Sequence, residues 1–278
     1  MKIGALIEVW KHSDIDGEFH RLHSMGLNCC QLAFWDTSMY TEAYANEIKA
    51  ASEKYGIEIT AVWAGWSGPI DWGFTYGPET IGIVPRAYRD SRLKELFAAS
   101  DFIQMLGVTD MITHVGYLPE RADDPDFVGT VIALRALCEH LEKRGQYFLF
   151  EAGEETPVTL LRMIDRIGMK NVGINFDTAN LIAYGKGNSL DALDIWGKYV
   201  RNTHLKDSLH PKTPDELGEE IKLGEGKANI PAILAKLKEL GYKGPYIIER
   251  EITGDEQTKD IIEARIWITS LLKDLSIE

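Results

Sequence analysis

The sequence is short of positive charge. Its 278 residues carry 30 Lys and Arg against 43 Asp and Glu, a formal net charge of −13. No run of basic residues gathers the minority sign into a patch. A chain so balanced repels phosphate backbones, so nucleic acid is not an expected partner. Cysteine is scarce too. Cys29, Cys30 and Cys138 form no CxxC pair, and they read as small buried apolar side chains in a reducing compartment. Long apolar runs are absent: none approaches the roughly 20 residues of a membrane span. The opening "MKIGALIEVW" starts as a strand, and its apolar run is too short for a signal peptide with a cleavage site. These absences predict a cytoplasmic protein without a membrane partner. The GxGxxG fingerprint of a dinucleotide-binding sheet is missing after the first strand, as are linkers and low-complexity tracts.

What is present is a repeated punctuation by glycine. Gly26, Gly56, Gly107, Gly145, Gly168, Gly197 and Gly241 each end a helix-like stretch and precede a short run rich in Ile, Val, Phe or Tyr. Glycine enters the left-handed turn that closes a helix without Cβ strain. The runs are continuous rather than alternating, which suits strands covered on both faces. With the N-terminal run they predict strands near 3–8, 28–34, 58–63, 109–114, 146–151, 172–177, 200–205 and 245–249. Helical periodicity fills the intervals. In "PAILAKLKELGY" one stripe holds Ile233, Leu234, Leu237 and Leu240, and Pro231 falls in the first turn. Eight βα units in this length predict an α/β fold, a (β/α)8 TIM barrel forming a single domain over residues 1–278. A doubly wound open sheet is the alternative. Two connections, 64–90 and 206–230, are long enough to be functional.

In such a barrel the chemistry sits at the C-terminal ends of the strands. Strand 1 ends near Glu8, strand 2 near Gln31 and Phe34, and strand 3 at Trp63. Strands 4 to 8 end at His114, Glu151, Asp177, His204 and Glu249, all able to bind a metal or move a proton. Taken singly, each has a plainer explanation. Asp177 could cap a helix, either glutamate could pair with a neighbouring cation, and either histidine could be a hydrogen-bonded core residue. Together, three carboxylates and an imidazole would crowd one barrel mouth. That much like charge is costly unless a cation balances it. The donor set suits one divalent ion, Mn²⁺ first, with Mg²⁺, Co²⁺ or Zn²⁺ as alternatives.

The stretches "FLFEAG", "INFDTAN", "NTHLKD" and "LGEGKANIPAILAKLKELGYKGPYIIERE" resemble the xylose isomerase-like TIM-barrel superfamily of sugar isomerases and epimerases. The likeness runs through nearly the whole chain, and the last stretch is the most specific. Its ketose 3-epimerase branch implies metal ligands Glu151, Asp177, His204 and Glu249, with the two glutamates also acting as acid and base. The implied activity is a metal-dependent isomerase or epimerase working through an enediolate on a ketose. His114 matches a histidine common at strand 4 and is expected to bind substrate or to be structural. Further substrate contacts are expected from Glu8, Trp63, Trp66, Asn180, Lys206 and Arg250. Trp10, Trp35, Trp72, Phe74 and Tyr76 would complete an aromatic mouth, or else pack as a plug or subunit contact.

There are departures from the pattern. Asn180 stands where the 3-epimerase branch usually has a histidine, and an amide cannot take up a proton. The apurinic endonuclease branch needs further histidines where this chain has Gln31, Asn180 and Gly224 to Gly226, which argues against a zinc-cluster nuclease. A dehydratase of a keto-inositol, or a non-catalytic sugar-binding protein, are the remaining alternatives. Lys222, Lys227 and Arg250 could meet a phosphate, but the aromatic mouth favours a nonphosphorylated sugar. A homo-oligomer, dimer or tetramer, is the expected assembly.

Overall fold

A computed structural model describes residues 1–277. Eight parallel strands close into a barrel: β1 (Ile3–Val9), β2 (Cys29–Phe34), β3 (Glu58–Ala64), β4 (Asp110–Thr113), β5 (Tyr147–Glu151), β6 (Val172–Asp177), β7 (Val200–Leu205) and β8 (Tyr246–Ile248). Each pairs with its sequence neighbours, and β8 closes the ring on β1. The open-sheet alternative is thereby excluded. Helices over 15–24, 42–55, 89–106, 125–142, 157–167, 189–196, 230–239 and 255–274 form the outer layer. Strands with both faces covered need continuous apolar runs, and β2 and β6 are buried along their whole length.

Six of the seven punctuating glycines take positive φ, between 66° and 75°. Gly197 is the exception: its φ is −57°. There the chain runs on into a 3-10 turn, and glycine is needed for space, because a Cβ would lie 2.4 Å from Leu240 Cδ1. The same contact corrects the 230–239 stripe. Ile230 joins Ile233, Leu234 and Leu237 in the core, while Leu240 lies past the helix end and is 38% exposed.

Both long connections are ordered by one charged side chain each. In the 65–88 segment, four backbone carbonyls converge on the buried Arg92 guanidinium. They belong to Ser67 (3.1 Å), Pro69 (2.9 Å), Thr80 (2.5 Å) and Gly82 (2.6 Å). Trp66 and Tyr88 flank the same guanidinium. After β7 a small antiparallel ribbon pairs Asp207–Ser208 with Glu220–Ile221. There the Asp207 carboxylate accepts from the backbone N–H groups of Ser208, Gly224, Gly226 and Ala228, each at 3.0 Å. A buried carboxylate so saturated fixes the returning loop where it meets the barrel mouth.

Candidate functional site

Glu151 and Asp177 end β5 and β6, and Glu249 is the first residue past β8. His204 pairs across from Asp177 in the β6–β7 register. The strands thus deliver four donors to one place. One ligand atom from each of Glu151, Asp177, His204 and Glu249 lies within 4.8 Å of the others. His204 Nδ1 is 2.7 Å from Glu151 Oε1 and 3.0 Å from Glu249 Oε2. The capping use considered for Asp177 is made. Its Oδ1 accepts from Ala179 N and Asn180 N, each at 2.7 Å, capping the turn at 180–183. Its Oδ2 faces the cluster, 3.2 Å from Lys206 Nζ.

The charges here are tightly coupled. Burial opposes charge on His204, but Glu151 and Glu249 hold its pKa well above the usual imidazole value. Burial likewise opposes the Glu249 carboxylate, and Lys206 and His204 hold it well below the usual range. For Asp177 burial wins over the Lys206 attraction and the pKa rises. Lys206 bridges Asp177 (3.2 Å), Glu249 (3.2 Å) and Glu251 (2.8 Å).

These residues fit a divalent cation. Asp177 Oδ2 and Glu249 Oε2 are buried and receive no well-aligned hydrogen bond from the described residues. Both lean instead on the charges of Lys206 and His204, 3.0 to 3.2 Å away, which leaves lone pairs that a cation could take. Three carboxylates and an imidazole are the donors that Mn²⁺, Mg²⁺ or a similar ion takes.

A cavity of about 440 Å³ opens above the cluster. Trp35, Trp63 and Trp72 form one wall, and Tyr184, Leu217 and Glu220 contribute to another. Glu8, His114, Asn180 and Lys206 line it as expected. Glu8 lies one residue before the end of β1. Trp63 donates its indole N–H to Glu151 Oε2. His114 stands between two carboxylates, with Nδ1 2.7 Å from Glu154 Oε1 and Nε2 3.6 Å from Glu151 Oε2. Burial pulls its pKa down, but Glu154 and Glu151 raise it to about 9.

Other expected contacts are not made. Arg250 does not line this cavity, because Glu220 and Asp260 hold its guanidinium. Lys222 is likewise taken by Glu263 and Asp260. Trp66 is buried behind the wall, 5.7 Å in ring separation from both Trp35 and Trp63. Trp10 is 51% exposed and lines a neighbouring groove, while Tyr76 is 61% exposed. The sequence reading missed Glu154, Glu155, Tyr184, Glu220 and Glu251. The first two had a signal: "EAGEET" repeats acidic residues directly after a strand end.

The model of the family described as xylose isomerase-like TIM barrel matches residues 19–271. The chain belongs to that family. Within it, the chain is similar to a xylose isomerase domain protein from Planctomyces limnophilus. Identity is 32%, the TM-score is 0.92, and 99% of this chain and 98% of that one are covered. A D-tagatose 3-epimerase-like protein shares the fold at 20% identity and TM-score 0.76, over 99% and 98% of the two chains. An uncharacterised protein of Methanocaldococcus jannaschii is 32% identical over 174 residues, 58% of this chain. This chain thus spans 57% of the length of that curated relative. Among the described residues, no helix of this xylose isomerase-like barrel is long and apolar enough to cross a membrane.

Proposed function

We propose that this protein is a metal-dependent sugar isomerase or epimerase that acts on a neutral ketose or keto-sugar through an enediolate. The observation that carries the reading is the convergence of Glu151, Asp177, His204 and Glu249 beneath an aromatic-walled cavity. The structural likeness to a D-tagatose 3-epimerase-like protein supports it. A divalent ion held by these four residues would polarise the substrate carbonyl and stabilise the negative charge of the enediolate.

The protein side chains then move the protons. One of the two glutamates removes the proton alpha to the carbonyl, and the other returns a proton. Return to the same carbon from the opposite face epimerises it; return to the adjacent carbon isomerises the sugar. Trp63 and His114 restrain Glu151, which fixes its aim. Trp35, Trp63 and Trp72 offer apolar faces to sugar C–H groups and exclude water. The Asn180 amide can hold a hydroxyl but cannot relay a proton.

The charge of the cavity supports a nonphosphorylated substrate. Among the described lining residues the cations are Lys206, which three carboxylates already occupy, and His114, held between Glu154 and Glu151. A phosphate would face Glu8, Glu220 and Glu251 with no free cation opposite.

Glu249→Gln tests the assignment. Turnover of a responsive ketose is expected to fall at least about 100-fold, while calorimetric sugar binding persists. A fully active variant would contradict the role given to Glu249.

A further inference from the structure

A chain of hydrogen bonds inside the barrel decides which nitrogen of His204 can serve as a ligand. It begins at a group whose role is fixed, the backbone N–H of Thr203, which can only donate. That N–H points at Asn202 Oδ1, 3.1 Å away. The oxygen of the Asn202 amide is therefore identified, because the alternative orientation would set two donors face to face. Gln31 Nε2 lies 2.7 Å from the same oxygen and 3.2 Å from Asn175 Oδ1. The Gln31 NH₂ must therefore face Asn202, and its Oε1 must face the other way. There Oε1 meets His204 Nε2 at 2.6 Å. A carbonyl oxygen only accepts, so Nε2 carries the hydrogen. Gln31, Asn175 and His204 are fully buried and Asn202 nearly so, so water does not compete for these bonds.

We infer that Gln31 is a positioning residue that locks His204 with its hydrogen on Nε2, so that the Nδ1 lone pair is what the site offers a cation. Nδ1 is the nitrogen beside Glu151 and Glu249. Those carboxylates attract a hydrogen toward Nδ1, where it would block the lone pair. The Gln31 carbonyl keeps the Nε2 hydrogen in place from the other side of the ring, so the Nδ1 hydrogen is the one an arriving cation displaces. A ligand histidine commonly donates its second N–H to a fixed acceptor, and losing that acceptor weakens metal affinity about 10- to 100-fold. Here the acceptor comes from β2, across the barrel from β7 and 173 residues away in sequence. Its own orientation is set by a second amide rather than by a charge.

The inference rests on the proposed metal site, and the test separates the two. Mn²⁺ and Mg²⁺ alone are titrated calorimetrically into wild type and Gln31→Leu, with folding checked by circular dichroism. Wild type is expected to bind, and Gln31→Leu to bind about 10- to 100-fold more weakly. Nitrogen-15 spectra of the Mg²⁺-loaded wild type are expected to show a slowly exchanging proton on His204 Nε2 and none on Nδ1. In metal-loaded Gln31→Leu the Nε2 proton is expected to lose its protection, which a packing role alone would leave in place. A folded Gln31→Leu with wild-type affinity, or a wild-type proton on Nδ1, would overturn the inference while leaving the metal site standing. Failure of wild type to bind either ion would overturn the metal site and this inference with it. If Gln31→Leu does not fold, the wild-type spectrum decides alone.

Discussion

Glu155 shows how single residues at this mouth carry linked costs. It is buried beside Glu154, and burial first, then the Glu154 charge, push its pKa to about 8, with His114 opposing. The folded-state pKa lies above the unfolded one, so the neutral form favours folding. The contribution is full below about pH 4.5 and is lost as pH rises through about 8. Wild type should therefore lose thermal stability between about pH 5 and pH 9 more steeply than Glu155→Gln, by on the order of 3 kcal/mol at the alkaline end. Melting temperatures across that range check it, and parallel curves would show that Glu155 ionises freely. The four candidate donors were legible residue by residue: Glu151, Asp177 and Glu249 follow largely apolar runs at or just past a strand end, and His204 lies one residue before the end of β7. Gln31 was visible only as a residue at strand 2. Its contact with His204 spans 173 positions and depends on barrel closure. Arg250 was misplaced for the same kind of reason: Glu220 and Asp260, 30 and 10 residues away, take its guanidinium.

At the scale of elements, Trp72 of the aromatic wall stands on the 65–88 segment, and that segment stands on Arg92. Removing the guanidinium would leave the carbonyls of Ser67, Pro69, Thr80 and Gly82 without their donor. Buried polar groups left unpaired cost about 1–3 kcal/mol each, with partial relief where water enters. Arg92→Leu should destabilise the fold by about 3 kcal/mol in denaturant titration and open residues 67–82 to limited proteolysis. Unchanged stability and cleavage would mean that the segment is held by other contacts, such as the close approach of Gly82 to Val115. A Cβ at Gly82, where φ is +67°, would lie 2.1 Å from the Val115 carbonyl. The sequence marked this connection as long and aromatic, but the convergence of four carbonyls on one side chain exists only in the folded segment. The glycine punctuation was more readable. Six of the seven positions adopt the left-handed turn that helix ends favour, and Gly197 departs because the chain continues there into a 3-10 turn over 197–199.

At the scale of the whole molecule, the barrel turns a linear order of strand ends into a ring, and the ring explains the acidic mouth. Strands β5 to β8 are consecutive around it, so ligands far apart in sequence meet beneath one cavity. The fold was legible because eight apolar runs, seven of them preceded by a helix stop, leave few other closures. The loop lining of the cavity, such as Leu217, Glu220 and Tyr184, was not, because no local pattern records its approach. The central claim is enolisation at a metal-dependent centre. Its most direct test is incorporation of solvent deuterium at the carbon alpha to the carbonyl across a panel of unphosphorylated ketoses and keto-inositols. The account predicts incorporation with Mn²⁺ or Mg²⁺ present and its loss on chelation. No incorporation into any of them by the metal-loaded protein would contradict it.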